Sequence, residues 1–409
     1  GKRRDKYGKQ TPMGVLGLYD HLAGIRLDLE WAEDAAWRRE NNEPYLSWAD
    51  FEITRKEGFN RPIFTYFLLF VCTVMLIVSL GVNGWKVEPL SVNPMIGPSA
   101  ETLVRLGAKD TQLIVVQGQW YRVFAPMVLH AGIIHYFLNM LALWFVGSAV
   151  EQCHGTMASA ILFIIPAVGG TILSALLLPQ FISVGASGGI FGLVGACLAD
   201  IVMNWNLLFS KHVNFTDKGK VIRHGWVLFW LLVDIIANAL MGLTPYVDNF
   251  THLGGMIYGF LCGLSTMERL SAGFFGASGD HYIHIRNLFI RFLGIFICVA
   301  AIMTTTVLLL ESDGVTSPCS SCRYVSCVPF PPWNGETEKW WYCDDCGSVS
   351  GDAKKNVTSD IYDQLLLYCP NGEETTVDIT SKGVTNATLL SNSLPTYCRQ
   401  FCSSTSRTT

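Results

Sequence analysis

The sequence predicts an all-α polytopic membrane protein that ends in a small cysteine-rich extramembrane tail. Three observations carry this reading. Half of the 409 residues are hydrophobic and only 15% are charged, against about 25% charged in soluble globular domains. The charges are spaced so that long stretches carry none. Eight of the thirteen cysteines fall within residues 312–409. A net charge of −4 argues against a nucleic-acid binder, which would show a basic stripe.

Reading from charge to charge exposes the spans. Uncharged runs lie between Arg61 and Lys86 and between Arg122 and Glu151. Another runs from Glu151 to Asp200, long enough for two spans broken at Pro179-Gln180. A fifth covers residues 225–244, interrupted by Asp234; a sixth lies between Asp248 and Glu268, and a seventh between Arg291 and Glu311. A span needs about 20 apolar residues, so seven fit. Eleven Lys/Arg lie in residues 1–61, and more lie in the loops at 205–224 and 268–291. The positive-inside rule then puts the N-terminus in the cytosol and, after an odd number of spans, the C-terminus outside. The predicted organisation is a cytosolic region (1–61), a six-helix core (62–268), a cytosolic loop (269–291), a seventh span (292–311) and a lumenal or extracellular tail (312–409).

Two readings of the tail compete. Cys319-x-x-Cys322 and Cys343-x-x-Cys346 have zinc-ribbon spacing. Eight cysteines in an oxidising compartment suggest four disulfides instead, and the topology favours disulfides, with no metal. The sequons at Asn356 and Asn386 fit a glycosylated exterior, whereas the one at Asn249 abuts a span. The other cysteines, Cys72, Cys153, Cys197, Cys262 and Cys298, read as small apolar fillers in or beside spans.

Polar groups inside a bilayer are costly and need a reason. The second span carries His130, His135 and Asn139; the last two, four apart, share a helix face. The fourth opens with Gly185-Ala186-Ser187-Gly188. An isolated intramembrane Ser is ordinarily structural, bonded back to a carbonyl one turn earlier. Its setting changes that. Gly188, Gly192 and Ala196 recur at helical spacing beyond it, and on the sixth span His252 is followed by Gly255, Gly259 and Gly263. Small-xxx-small stripes let two backbones approach closely, and packing these stripes together brings Ser187 to His252. A serine hydroxyl needs a base to become nucleophilic, and a neutral imidazole can be that base. No acid occupies a clear third position; Asp248, one turn outward of His252, reads as a solvated loop charge. The pattern is therefore a dyad, with Asn139, His135 and the Ser187 backbone N–H as candidate oxyanion donors. Asp234 is either functional or a structural acid. The second GASG string, Gly276-Ala277-Ser278-Gly279, lies in a polar loop without a stripe and receives no chemistry.

In ordered motifs the chain resembles the rhomboid family of intramembrane serine proteases. These are Trp120-Tyr121-Arg122, then His130, His135 and Asn139, then Glu151-x-x-x-Gly155, Gly185-Ala186-Ser187-Gly188 and His252-x-x-Gly255-x-x-x-Gly259. The resemblance implies a rhomboid-like six-helix bundle, Ser187 as nucleophile, His252 as general base, and His135 and Asn139 as oxyanion donors. It implies that Glu151 braces the large outer loop, where Trp120 and Arg122 also sit. It implies single-span membrane proteins as substrates and no cofactor. The added C-terminal span and the segment from Asn93 to Ser99 look like the secretase-type subgroup, in the secretory pathway or plasma membrane. Tyr121, inserted within the Trp-Arg pair, and Phe191, where bacterial members often have Tyr, are departures. The cysteine-rich tail has no counterpart in the common core. A catalytically inactive rhomboid-like protein that binds and traffics membrane clients is the alternative from another class. A transporter is disfavoured, because no inverted repeat or pair of broken helices is evident. Other intramembrane proteases lack their motifs here: there is no HExxH, and no GxGD in any span.

Overall fold

The computed structural model describes residues 34–47, 61–203 without 91, 239–266, 281–319 and, with short gaps, 321–402, besides a few single positions. Most of residues 1–61, most of the fifth uncharged run with Asp234, and the second GASG string lie outside the described residues. The chain divides into two units, one of residues 1–242 and 247–319, the other of 243–246 and 320–409.

Among the described residues, the helices named below occupy six of the seven predicted spans. Helix α1 spans Ile63–Val82. The segment that follows contains two short helices, α2 (Ala100–Leu106), which starts at the Ser99 cap, and α3 (Thr111–Val115), which starts at the Asp110 cap. Both caps accept a backbone N–H that would otherwise lack a partner. Helix α4 (Ile133–Ala142) continues through a π-turn at Leu143–Gly147 into α5 (Ser148–His154). Helix α6 (Thr156–Leu177), α7 (Ser187–Met203), α8 (Asn249–Thr266) and α9 (His281–Glu311) follow in the same unit. Ile63–Val82, Ile133–Gln152, Thr156–Leu177 and Leu288–Glu311 are long and apolar enough to cross a membrane. Ser187–Met203 is apolar but shorter. The chain is a multi-pass integral membrane protein of helical architecture.

The glycine stripes meet. A Cβ built on Gly255 would lie 2.2 Å from the Gly188 carbonyl oxygen, one on Gly259 2.0 Å from that of Gly192, and one on Gly263 2.7 Å from Ala196 Cα. The obstacles are backbone, so no side-chain rotation relieves them. Helices α7 and α8 thus touch backbone to backbone over two turns. Phe163 and Leu162 of α6 close the same core, with Leu193, Ala196 and Tyr258.

The start of α4 is held from outside the helix. The Ile133 and Ile134 N–H groups donate to the carbonyls of Ile96 (3.0 Å) and Met95 (3.2 Å). The Asn93 side-chain amide donates to Ala131 O at 2.8 Å. Gly97 and Gly132 permit this docking, since a Cβ on either would strike the opposite backbone, at 2.0 and 2.2 Å. The Asn93–Ser99 segment therefore completes the first turn of α4, satisfying donors that a helix leaves open.

The second unit departs from the all-α expectation. It contains a three-stranded antiparallel sheet, β1 (Ser350–Lys355), β2 (Tyr362–Tyr368) and β3 (Glu374–Asp378), in the order β1-β2-β3. Leu365 pairs with Ala353 and Val377 on its neighbours. Leu365 and Leu367, two apart on one sheet face, are fully buried against Leu390, Tyr397 and Cys398; the last three belong to α11 (Ala387–Phe401), which follows the short α10 (Arg323–Ser326). Three disulfides are described, Cys327–Cys343, Cys346–Cys398 and Cys369–Cys402, and Cys319 and Cys322 are also disulfide-bonded. Cys343 and Cys346 each pair elsewhere, so the zinc-ribbon reading falls. Cys72, Cys197, Cys262 and Cys298 are buried in the helical unit.

Two outcomes follow from this packing. Gly259→Ala is expected to destabilise the helical unit by about 1–3 kcal/mol, the range for overpacking. Thermal unfolding in detergent measures it, and an unchanged midpoint would contradict the close approach. Cys398→Ala is expected to cost the tail about 2–5 kcal/mol, seen as faster proteolysis of the tail in the full chain.

Candidate active site

Ser187 is the first residue of α7. Its approach is set by Gly185, whose N–H donates to Pro126 O at 2.8 Å and whose φ is +135°, a conformation that side chains disfavour. A Cβ there would also lie 2.8 Å from His135 Cε1, 3.0 Å from His135 Nε2 and 3.5 Å from Ser187 Oγ. The glycine is thus required on two counts, and the same distances locate the His135 ring edge beside the serine.

His252 lies in the first turn of α8. Its Nε2 is 2.7 Å from Ser187 Oγ. Phe191, one turn along α7, stacks under the imidazole at 4.3 Å between centroids and 21° between planes. The stack fixes the ring plane, and the glycine contacts fix the helix separation. Among the described residues His252 Nδ1 is buried without a hydrogen-bond partner, so none of them extends the pair into a triad.

The other polar residues of the second span divide by role. The Ala131 N–H donates to His135 Nδ1 at 3.4 Å. Nδ1 therefore accepts, and the ring proton sits on Nε2, the edge facing Gly185. Asn139 is buried, and its amide nitrogen donates one hydrogen to the carbonyl of His135 at 2.9 Å, which holds the amide in place and leaves its second N–H as a donor. His130 is fully buried and stands edge-on to His135 and to Tyr136, at 5.4 and 5.5 Å. Tyr136 is tied by its hydroxyl to Thr73 Oγ1 at 2.6 Å.

Trp120 and Arg122 brace the segment between α1 and α4. Arg122 is buried and donates to the carbonyls of Val104 and Ala108, at 2.7 and 2.9 Å, and to Gln119 Oε1 at 2.7 Å. Trp120 packs on Ile114, Val123 and Ile172. The inserted Tyr121 leaves this intact, its ring lying under the guanidinium.

Two expectations are corrected. Glu151 does not brace that segment. Its carboxylate accepts from the backbone N–H of Phe64 (2.9 Å) and Thr65 (2.8 Å) and from the hydroxyls of Thr65 and Thr156. It caps the start of α1, because a fully buried carboxylate needs donors and the open N–H groups of a helix supply them. Asp248 is not a solvated charge. It accepts the N–H groups of Phe250 and Thr251, at 3.1 and 3.0 Å, and the hydroxyls of Thr251 and Ser174. The first of these contacts follow the N-cap pattern Asp-Asn-Phe-Thr visible in sequence. Ser174 is 74 residues away in sequence and left no signal.

Comparison with known proteins now bears on this geometry. A Rhomboid domain model matches residues 117–269, a range that holds both Ser187 and His252. RHOMBOID-like protein 1 of Arabidopsis thaliana is 32% identical over 77% of this chain and 74% of its own. The chain belongs to the rhomboid family. Rhomboid protease GluP of Bacillus subtilis is 34% identical over 53% of this chain and 37% of its own. The family also includes Inactive RHOMBOID-like protein 8 of Arabidopsis thaliana, 31% identical over 60% of this chain and 70% of its own. Membership in the rhomboid family therefore does not decide activity; the residues of the site do.

Gly185→Ala is expected to displace the His135 ring and slow fluorophosphonate labelling of this rhomboid at Ser187 at least about tenfold, roughly 1.4 kcal/mol on the barrier. Labelling at the parental rate would contradict the crowding at Gly185.

Proposed function

We propose that this chain is an intramembrane serine endopeptidase that cuts single-span membrane proteins in or near their transmembrane helix. The observation that carries the reading is the 2.7 Å contact between Ser187 Oγ and His252 Nε2, held by a backbone-to-backbone helix contact. An inactive client-binding rhomboid has no need of such a pair.

In this mechanism His252 Nε2 takes the hydroxyl proton as Ser187 Oγ attacks the scissile carbonyl. His252 then returns that proton to the leaving amine. Water attacks the acyl-serine by the same route in reverse. The charge on the tetrahedral oxygen is met by His135 Nε2–H and the Ser187 backbone N–H, with the second amide hydrogen of Asn139 as a further donor. Losing one such donor costs about 10²–10³ in rate. The steps use the chain's own groups and a water molecule, and no cofactor is invoked.

The membrane topology belongs to the same proposal. It has six core spans and a seventh at 292–311, with residues 1–61 cytosolic and the disulfide-bonded tail lumenal or extracellular. The lysines and arginines of residues 1–61 support it, as does the oxidation of the tail cysteines. On this orientation Asn356 or Asn386 carries glycan when the protein is made in a eukaryotic host, measured as a glycosidase-sensitive mobility shift; an unmodified tail in the cytosol would reverse it.

Ser187→Ala is expected to abolish cleavage of a single-span reporter while leaving membrane insertion intact. His252→Ala should do the same, and the double variant should be no worse than either, because the two act as a unit. Parental cleavage by Ser187→Ala would overturn the assignment. A helix hides its peptide bonds, so substrate must unwind at the level of Ser187, in its outer membrane third. Gly and Pro weaken helices by about 1 and 3 kcal/mol relative to Ala. Replacing such residues there by Leu should slow ectodomain release at least about tenfold; equal release from both reporters would refute the unwinding argument.

A further inference from the structure

The Ser–His contact joins two segments that do not adjoin in sequence, and one side chain is bonded to the surroundings of both. Lys109 is fully buried. Its backbone pairs with Ser183 in an isolated antiparallel bridge: Lys109 N–H donates to Ser183 O at 3.0 Å, and Ser183 N–H to Lys109 O at 3.3 Å. Ser183 begins the short run into Gly185 and Ser187. The Lys109 ammonium reaches the other way, donating to Leu178 O at 2.9 Å and to Ser174 Oγ at 3.1 Å. Ser174, also fully buried, passes its own hydroxyl proton in a hydrogen bond to Asp248 Oδ2. The carboxylate then caps α8, accepting the Phe250 and Thr251 N–H groups and the Thr251 hydroxyl. His252 is the next residue, and its own N–H donates to Asp248 O at 3.2 Å.

A lysine and a carboxylate inside a helical unit are costly unless each is paired and fully hydrogen-bonded. Helix capping alone asks for neither Lys109 nor Ser174, since Asn or Ser would cap α8 as well. What the hydroxyl-bridged pair adds is a tie between the run into the nucleophile and the helix that carries the base.

We infer that Lys109, Ser174 and Asp248 are positioning residues for the reaction, a hydroxyl-bridged ion pair that holds His252 Nε2 at attacking distance from Ser187 Oγ. The inference rests on the Ser187–His252 reading. None of the three touches the reacting atoms. Their effect falls on the geometry of proton transfer, where small displacements cost rate, and not on substrate binding.

The test uses the full chain in detergent and two readouts: the rate constant for fluorophosphonate labelling of Ser187, and kcat and KM on a single-span reporter. Lys109→Met keeps the stem and removes the charge. Asp248→Asn keeps a cap and removes the charge. Ser174→Ala removes one hydroxyl and is the mildest, so it stands in if either charge variant fails to fold. Each variant is expected to lower the labelling rate and kcat at least about tenfold with KM within about twofold of parental, which is roughly 1.4 kcal/mol on the barrier. Lys109→Met/Asp248→Asn is expected to be no worse than the poorer single variant, since the two charges act through one bridge. A purely structural role predicts lower thermal midpoints with parental labelling per folded molecule, and that result overturns the inference. So do additive losses in the double variant. Parental labelling at Ser187 with unaffected variants leaves the protease reading standing and sinks only this one; a parental protein that never labels sinks both.

Discussion

The structure depends on the distance between two helix axes. Helices α7 and α8 are close enough that Gly192 O would meet a Cβ on Gly259 at 2.0 Å. No larger residue fits between them. In a bilayer there is little hydrophobic gain from bringing helices together, so close packing and the dispersion contacts it allows must hold the pair. That one separation sets the Ser187–His252 distance, because each residue tops the stripe of its own helix. It also explains why Phe191 can reach under the imidazole.

Around this contact, buried charge is used sparingly and always to join elements. Glu151 ties α1 to the end of α5, through Phe64 and Thr65, and also to Thr156. Arg122 ties the segment before α4 to the carbonyls of Val104 and Ala108 at the end of α2. Lys109, Ser174 and Asp248 tie α6 to the cap of α8. Each charge satisfies backbone groups that a helix terminus leaves open. A broken partner would leave an unpaired polar group where water is scarce, which is more costly than the bond was favourable. The site is therefore framed by groups whose removal is felt well beyond their own position.

The tail follows different physics. Its buried side chains gather on one face of a three-stranded sheet under α11, a core too small to be secure by itself. The bridges Cys346–Cys398 and Cys369–Cys402 close around that core, restricting the unfolded chain where hydrophobic burial is limited. The helical unit needs no such device, and its four buried cysteines serve as small apolar side chains.

What the sequence determined by itself was local or periodic. Uncharged runs located the helices, since each helix satisfies its own backbone and needs only an apolar exterior. Two stripes of small residues, each topped by Ser187 or His252, were legible because helical spacing repeats in sequence. The rhomboid resemblance rested on the same ordered motifs. What only the tertiary structure decided were the partners distant in sequence. Asp248 reads as a loop charge until Ser174, on another helix, is seen to donate to it. Glu151 looks like a brace for the neighbouring loop until α1, 86 residues earlier, is seen to start on it. The sheet in the tail was hidden because its strands are short and polar on one face. The pairing of its cysteines follows from which side chains the folded core brings within bonding distance, and spacing along the chain does not encode that.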